Sequence, residues 1–391
     1  MDHPFSREEF AGRIRAVQTR MQERGMDVLV VADPSNMYYL TGYNAWSFYT
    51  PQALLVSLDS ETPIWCGRFM DATSAHRTTY LPADAIRPYP DSYVQASDRH
   101  PMQIVAGIIE KEGWSRKTIG IEMDAYYYTA HAHEWLAGAL PNAKLVDAGL
   151  MVAWVRVVKS PQELTYLREA GQIVERMMDR AFEVIRPGLR ECDLAGALYE
   201  AQMRGTEAFG GIHTTSPPFL GVGRHINEPH PVWNDDPIAA NTPVNIEIAG
   251  CRLRYHGPMS RTIYVGKPPQ TYRDLADGVV EGMNAALDAV KPGVTCETIE
   301  AVWRRTIARR GIEKEARLGY SIGIGFPPTW GERTASLRPG DLTVLEAGMA
   351  FHMMSGIWQK ETGVTITQAF YVTDTGHQPL TSAPRALLVK D

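Results

Sequence analysis

The chain has 391 residues, with 39 Lys and Arg against 45 Asp and Glu and a formal net charge of −6. That length exceeds what one growing core accommodates, so two domains are expected. The lack of any basic excess or basic run excludes nucleic acid and anionic membrane as natural partners. No apolar stretch approaches the ~20 residues of a membrane span. The opening Met1-Asp-His-Pro4 lacks the basic and apolar regions of a secretory leader, so a cytoplasmic protein is expected.

Ser6-Arg-Glu-Glu9 reads as a capping box and predicts a first helix that stops at Gly25. Val28 to Val31 is an apolar run of strand length, ended by Asp33-Pro-Ser-Asn36. Further strand-like runs at 53–57, 63–66, 118–122 and 144–146 alternate with helical stretches, the pattern of an α/β domain. A second capping box, Ser160-Pro-Gln-Glu163, opens a long helix to Arg186, with Pro161 at the first position, where its missing N–H is harmless. The boundary is therefore expected just before it, giving domains 1–158 and 159–391. Cys66, Cys192, Cys251 and Cys296 lie far apart and form no CxxC pair, so reduced thiols are expected.

The second half repeats itself. Ile185-Arg-Pro-Gly-Leu-Arg-Glu-Cys-Asp-Leu194 is echoed by Val290-Lys-Pro-Gly-Val-Thr-Cys-Glu-Thr-Ile299, 105 residues on. Each joins two helical patterns through a Pro-Gly break before β-rich sequence. A basic residue followed by Pro-Gly is a common helix stop, but its recurrence in the same context predicts a duplicated unit of two helices and a sheet.

The run Val244 to Thr262 has a strand-turn-strand rhythm. Together with Asp33-Pro-Ser-Asn-Met37, Leu40-Thr-Gly-Tyr43, Trp46-Ser-Phe-Tyr49, Arg99-His-Pro-Met102, Glu247-Ile-Ala-Gly-Cys251, Arg254-Tyr-His256, Gly319-Tyr-Ser-Ile-Gly323 and Trp330-Gly-Glu-Arg-Thr334, it resembles the creatinase and Xaa-Pro peptidase superfamily. Within that superfamily it resembles the ectoine hydrolases, over nearly the whole chain. The resemblance implies an α+β architecture: a creatinase-like α/β N-terminal domain before a pita-bread domain with a pseudo-twofold axis. It also implies a homodimer in which the Trp46–Tyr49 loop reaches the neighbouring pocket, and no cofactor. The five places at which the superfamily carries metal ligands fall on Glu247, Pro258, Tyr320, Met354 and Thr367. One carboxylate among five does not make a site for a hard or borderline cation. The implied branch is metal-free, and the implied reaction is hydrolytic opening of ectoine, a cyclic amidine with a ring carboxylate, to N-acetyl-2,4-diaminobutyrate.

Such a zwitterion needs an anion facing its amidinium, a proton shuttle, and a cation or donor for its carboxylate. Glu247, in apolar surroundings, is the candidate anion, either activating water or attacking the amidine carbon; the bland reading pairs it with Arg252 or Arg254. His230, in Glu228-Pro-His-Pro231, lies 17 residues before Glu247, close to the spacing the superfamily resemblance implies for a substrate-facing histidine, and is the candidate proton donor. His256 is a candidate to face Glu247 across the hairpin, and His225 and His352 are weaker ones. Arg254, Arg261 and Arg333 are candidates for the carboxylate, although Arg261 with Thr262 can simply finish the strand. Tyr320 offers a neutral hydroxyl. Trp46, Phe48, Trp330 and Trp358 offer π faces to the small cation, worth about 0.5 to 2 kcal/mol each. The missing acidic residues near Pro258 and Met354 argue against creatine hydrolysis, and Gln368 stands where an ectoine hydrolase leads one to expect an acid. Another small amidine or amide such as hydroxyectoine, a metal-dependent Xaa-Pro peptidase, and a non-catalytic zwitterion binder are the alternatives.

Overall fold

Ser6 opens the first helix, Arg7–Glu23, by accepting the Glu9 backbone N–H at 3.1 Å. Glu9 itself pairs with Arg13 one turn on, at 2.8 Å. The computed structural model describes residues 3–359 and 361–391. The chain divides into two units, Met1–Arg156 and Val157–Asp391.

In the first unit a mixed sheet has the strand order Ser60–Cys66, Ala53–Ser57, Val28–Val31, Thr118–Ile121, Lys144–Asp147. Val28–Val31 runs antiparallel to Ala53–Ser57 and parallel to Thr118–Ile121. All four of its residues are buried, as its unbroken apolar run requires. Behind it, Asp33 caps the helix Pro34–Thr41. Glu122 is buried against the same turn and accepts the backbone N–H groups of Ala32 (2.8 Å) and Asp33 (2.9 Å) and the Asn36 Nδ2 (2.6 Å). Burial, then the Asp33 charge, lift its pKa to about 7 against the pull of those hydrogen bonds.

In the second unit the Ser160 capping box is complete: Ser160 Oγ accepts the Glu163 N–H at 3.3 Å and Glu163 Oε2 accepts the Ser160 N–H at 3.0 Å. It opens the helix Pro161–Val184. The internal repeat holds at the level of single hydrogen bonds. Gly188 N donates to Ile238 O and Cys192 N to Asn234 O, both at 2.9 Å, while Gly293 N donates to Leu345 O (2.9 Å) and Glu297 N to Asp341 O (3.0 Å). The two glycines have φ of 84° and 88°, a left-handed turn that only glycine takes without strain.

One sheet runs through both halves, in the order His377–Pro379, Gln368–Val372, Ala350–Met353, Gly319–Phe326, Tyr255–Val265, Thr242–Arg252, Phe219–Val222. Alternation decides its faces. Val244, Ile246 and Ile248 join Ile173, Val174 and Met177 of the long helix in one core, which turns Asn245, Glu247 and Ala249 to the opposite face. Gly250 lies on the helix side, where a Cβ would sit 2.1 Å from Ala170 O, so its lack of a side chain sets how closely helix and sheet approach. Among the described residues no helix is long and apolar enough to cross a membrane.

Candidate active site

Glu247 has Phe219 as its register partner on one side and Ser260 on the other. It is 6% exposed, and among the described residues its carboxylate accepts no hydrogen bond. Burial drives its pKa up to about 8, and the charge of Lys314 pulls the other way. Lys314, 7% exposed, comes from the segment after the helix Cys296–Ala308. Its Nζ donates to Gly356 O at 2.5 Å and lies 4.8 Å from the centre of the Trp358 ring. Burial lowers its pKa to about 8, Glu247 raises it and Arg304 lowers it. No direct salt bridge joins the two charges.

Beside this pair runs a chain of polar groups. Trp330 Nε1 donates to Tyr320 OH (2.9 Å), Tyr320 OH meets His352 Nδ1 (3.1 Å), and His352 Nε2 meets Thr367 Oγ1 (2.8 Å). Thr367 Oγ1 in turn accepts the Ser260 N–H (2.7 Å). Burial, followed by the charges of Arg261 and Arg317, drives the His352 pKa down to about 3, so the ring is neutral and gives one hydrogen and takes one. Burial, and then the negative charge of Glu247, raise the Tyr320 pKa and keep its phenol protonated. Arg317 lies 4.6 Å over the Tyr320 ring.

His230 is exposed and stands edge-on to Phe219 at 5.2 Å, while Phe219 also approaches Trp330 at 6.4 Å. Glu247, Phe219 and His230 thus form a line from the buried strand to the surface. Several expected members are not there. His256 does not face Glu247: it pairs with Cys251, four residues further along the strand, on the order of 13 Å away. Its Nδ1 lies 2.8 Å from Arg254 O, and burial pushes its pKa down to about 3.

Arg261 is not a carboxylate ligand. Its guanidinium is committed to the carbonyls of Ser260, Thr367, Ala383 and Pro384, so it is structural. Arg254 sits in the two-residue turn of the hairpin with φ of 68° and lies 4.3 Å over Phe326. Arg333 also has positive φ, 58°, next to Glu332, which accepts from Lys159 at 2.6 Å. Trp358 presents its face to Lys314, the chain's own cation. His225 is taken by Glu228 at 2.6 Å, and Gln368 donates to Ala369 O and Thr381. Trp46, 54% exposed, and Phe48, buried, touch at 4.8 Å within the first unit.

Lys314 was absent from the sequence candidates because Ile312-Glu-Lys-Glu-Ala316 looks like a solvated charge run. The signal is there nonetheless: Ile312 and Lys314 are buried while Glu313 and Glu315 are exposed, an extended alternation that turns the lysine inward.

At the five places where the superfamily resemblance puts metal ligands, the side chains are one carboxylate, a phenol, a threonine hydroxyl, a thioether and a proline ring that offers no donor atom. Among the described residues no group of three His, Cys, Asp or Glu is placed to hold a metal ion. The residues present therefore do not fit a dinuclear centre. Against this stands the result of comparison with known families. Residues 13–158 match the creatinase/prolidase N-terminal domain, and residues 165–374 match metallopeptidase family M24.

The chain belongs to metallopeptidase family M24. It is 58% identical over 387 residues to an uncharacterized hydrolase/peptidase of Sinorhizobium fredii, covering 99% of each. It is 44% identical over 394 residues to the ectoine hydrolase of Halomonas elongata, covering 99% of this chain and 98% of that protein. Among solved structures it is similar to a prolidase from Thermococcus sibiricus, with a TM-score of 0.83 at 21% identity over 96% of this chain and 98% of the other. A dipeptidase from Mycobacterium ulcerans gives 0.79 at 24% identity, over 98% and 99%. The architecture is therefore α+β, a creatinase-type N-terminal domain followed by a pita-bread domain. This M24 chain keeps the fold, with Glu, Pro, Tyr, Met and Thr at positions 247, 258, 320, 354 and 367.

Proposed function

We propose that this M24 protein is a hydrolase that opens the cyclic amidine of ectoine to N-acetyl-2,4-diaminobutyrate without a metal ion. The observation that carries the reading is Glu247, a buried carboxylate that accepts no hydrogen bond among the described residues. Desolvating a carboxylate without partners is costly, and an amidinium is a partner that repays the cost. Likeness to the Halomonas elongata ectoine hydrolase along the whole chain supports the same substrate.

The amidinium lies against Glu247 and draws it into its ionised form. Glu247 takes a proton from the water that attacks the amidine carbon, or attacks that carbon itself and is released when a water then cleaves the Glu–O–C linkage; in either route the oxygen of one water ends on that carbon and one ring C–N bond breaks. The departing nitrogen takes a proton from His230 at the mouth, leaving an amine and an acetamide. Tyr320 donates its phenol proton to the oxygen added at the amidine carbon; its raised pKa beside Glu247 supports that role. Trp330 and Phe219 supply the apolar wall. A homodimer rests on the superfamily resemblance.

Proton NMR of ectoine incubated with the purified protein tests this directly. Conversion of the ring signals to those of an acetamide is the expected result. Binding without conversion would make the protein a zwitterion binder, and no effect on ectoine would remove the assignment.

A further inference from the structure

We infer that Lys314 is the anchor for the carboxylate of the substrate, so that Glu247 and Lys314 form a split ion pair into which a zwitterion inserts. The inference rests on the substrate reading above and names the residue that makes the site selective for an amidine carrying an acid.

Ectoine carries opposite charges a few bonds apart on one ring. A site that recognises both must hold opposite charges of its own and keep them from collapsing onto each other. Glu247 is fixed in a central strand between Phe219 and Ser260. Lys314 is fixed separately, its ammonium tied to Gly356 O and laid on the Trp358 ring. Gly356, which holds the ammonium, pairs with Thr365 across a two-strand ribbon, Thr365 Oγ1 accepts from Ser260 Oγ at 2.7 Å, and Ser260 is the register partner of Glu247, so the two charges approach the same place without a salt bridge between them.

An ammonium has three donors, and Gly356 O takes one. At 7% exposure, and with no carboxylate of the described residues in ion-pair contact with it, the ammonium has two donors to offer an anion. A carboxylate accepts both. The guanidinium candidates fit less well: Arg261 is spent on four carbonyls, and Arg254 lies at the hairpin tip. Arg317, over Tyr320, is exposed, where an ion pair is weakly rewarded.

The test compares ectoine with the same cyclic amidine lacking the carboxylate, 2-methyl-1,4,5,6-tetrahydropyrimidine. Equilibrium binding by calorimetry and kcat/KM are measured for the wild-type protein, Lys314→Met, Lys314→Gln and Arg317→Met. The wild type is expected to prefer ectoine by about 10- to 100-fold, the range of a hydrogen bond to a charged group. Both Lys314 variants should lose that preference, through weaker binding of ectoine and with binding of the carboxylate-free amidine held within about twofold. Arg317→Met should keep the preference.

Equal weakening of both ligands in the Lys314 variants would overturn the assignment, as would a preference that disappears with Arg317 instead. If ectoine binds but is not opened, the hydrolase reading falls while the binding ratios still decide the role of Lys314. If the wild type does not bind ectoine, both fall.

Discussion

Glu122 in the first unit and Glu247 in the second are both buried carboxylates lifted by burial, to about 7 and about 8. They differ in what they touch. Glu122 accepts two backbone N–H groups and the Asn36 amide, and Arg156 donates to the same Asn36 at 2.7 Å. Glu247 accepts nothing among the described residues, and the cation it senses, Lys314, is held away from it by Gly356 and Trp358. Burial and a raised pKa therefore do not by themselves mark a functional carboxylate. The first group fastens a loop and a helix start to a strand; the second has no such bonds among the described residues, which suits the cation-facing role proposed for it.

Glu247→Gln separates the two carboxylates by the largest effect. Removing the general base or nucleophile is expected to lower kcat by about 10³-fold or more, read by NMR turnover. The same variant should be more stable than the wild type at alkaline pH. The folded pKa of Glu247 lies above its ordinary 4.5, so its stabilising protonated form is fully present below pH 4.5 and is lost as pH rises to about 8. Glutamine has no such loss, so the Tm advantage of the variant should grow across that window. A Tm difference independent of pH would mean that Glu247 is solvated like an ordinary surface acid.

Next in size is the pH profile of kcat/KM. Glu247 must be ionised and Lys314 protonated, and both titrate near 8. The profile should be a narrow bell centred there, falling about tenfold per unit on each side as macroscopic values of the pair. A flat profile from pH 6 to 9 would break it. Tyr320→Phe removes a donor to developing charge and interrupts the hydrogen-bonded chain to Thr367; a fall in kcat of roughly 10- to 100-fold with little change in KM is expected. Glu122→Gln should do least to turnover. It places an amide N–H against groups that donate, costing about 1–3 kcal/mol of stability in thermal or urea unfolding, with kcat unchanged.

Much of the fold is legible in the sequence because its signals are local. The capping boxes at Ser6 and Ser160 and the strands from Val28 to Lys144 each depend on a few adjacent residues. The Pro-Gly echo is legible because Gly188 and Gly293 must both adopt positive φ. In the site, Glu247, His230 and Tyr320 come from the superfamily resemblance and Trp330 from the π face it offers a cation, and the structure brings all four around Phe219 and His352.

What was not legible depended on register and on long-range burial. The hairpin turns at Leu253 and Arg254, both at positive φ without glycine or asparagine, so no turn signal fixed the register. That register pairs Glu247 with Ser260 rather than bringing it opposite His256. The commitment of Arg261 to carbonyls as distant as Ala383 and Pro384, and the inward turn of Lys314 from an acidic segment, are likewise decided by distant parts of the chain.

In the proposed reaction side chains alone carry the chemistry, with no bound metal ion. This is tested most directly by the rate of ectoine ring opening on metal-stripped protein, measured with a strong chelator and again after adding zinc, manganese or cobalt. An unchanged rate throughout is predicted. A rate lost on chelation and restored by a divalent ion would contradict it.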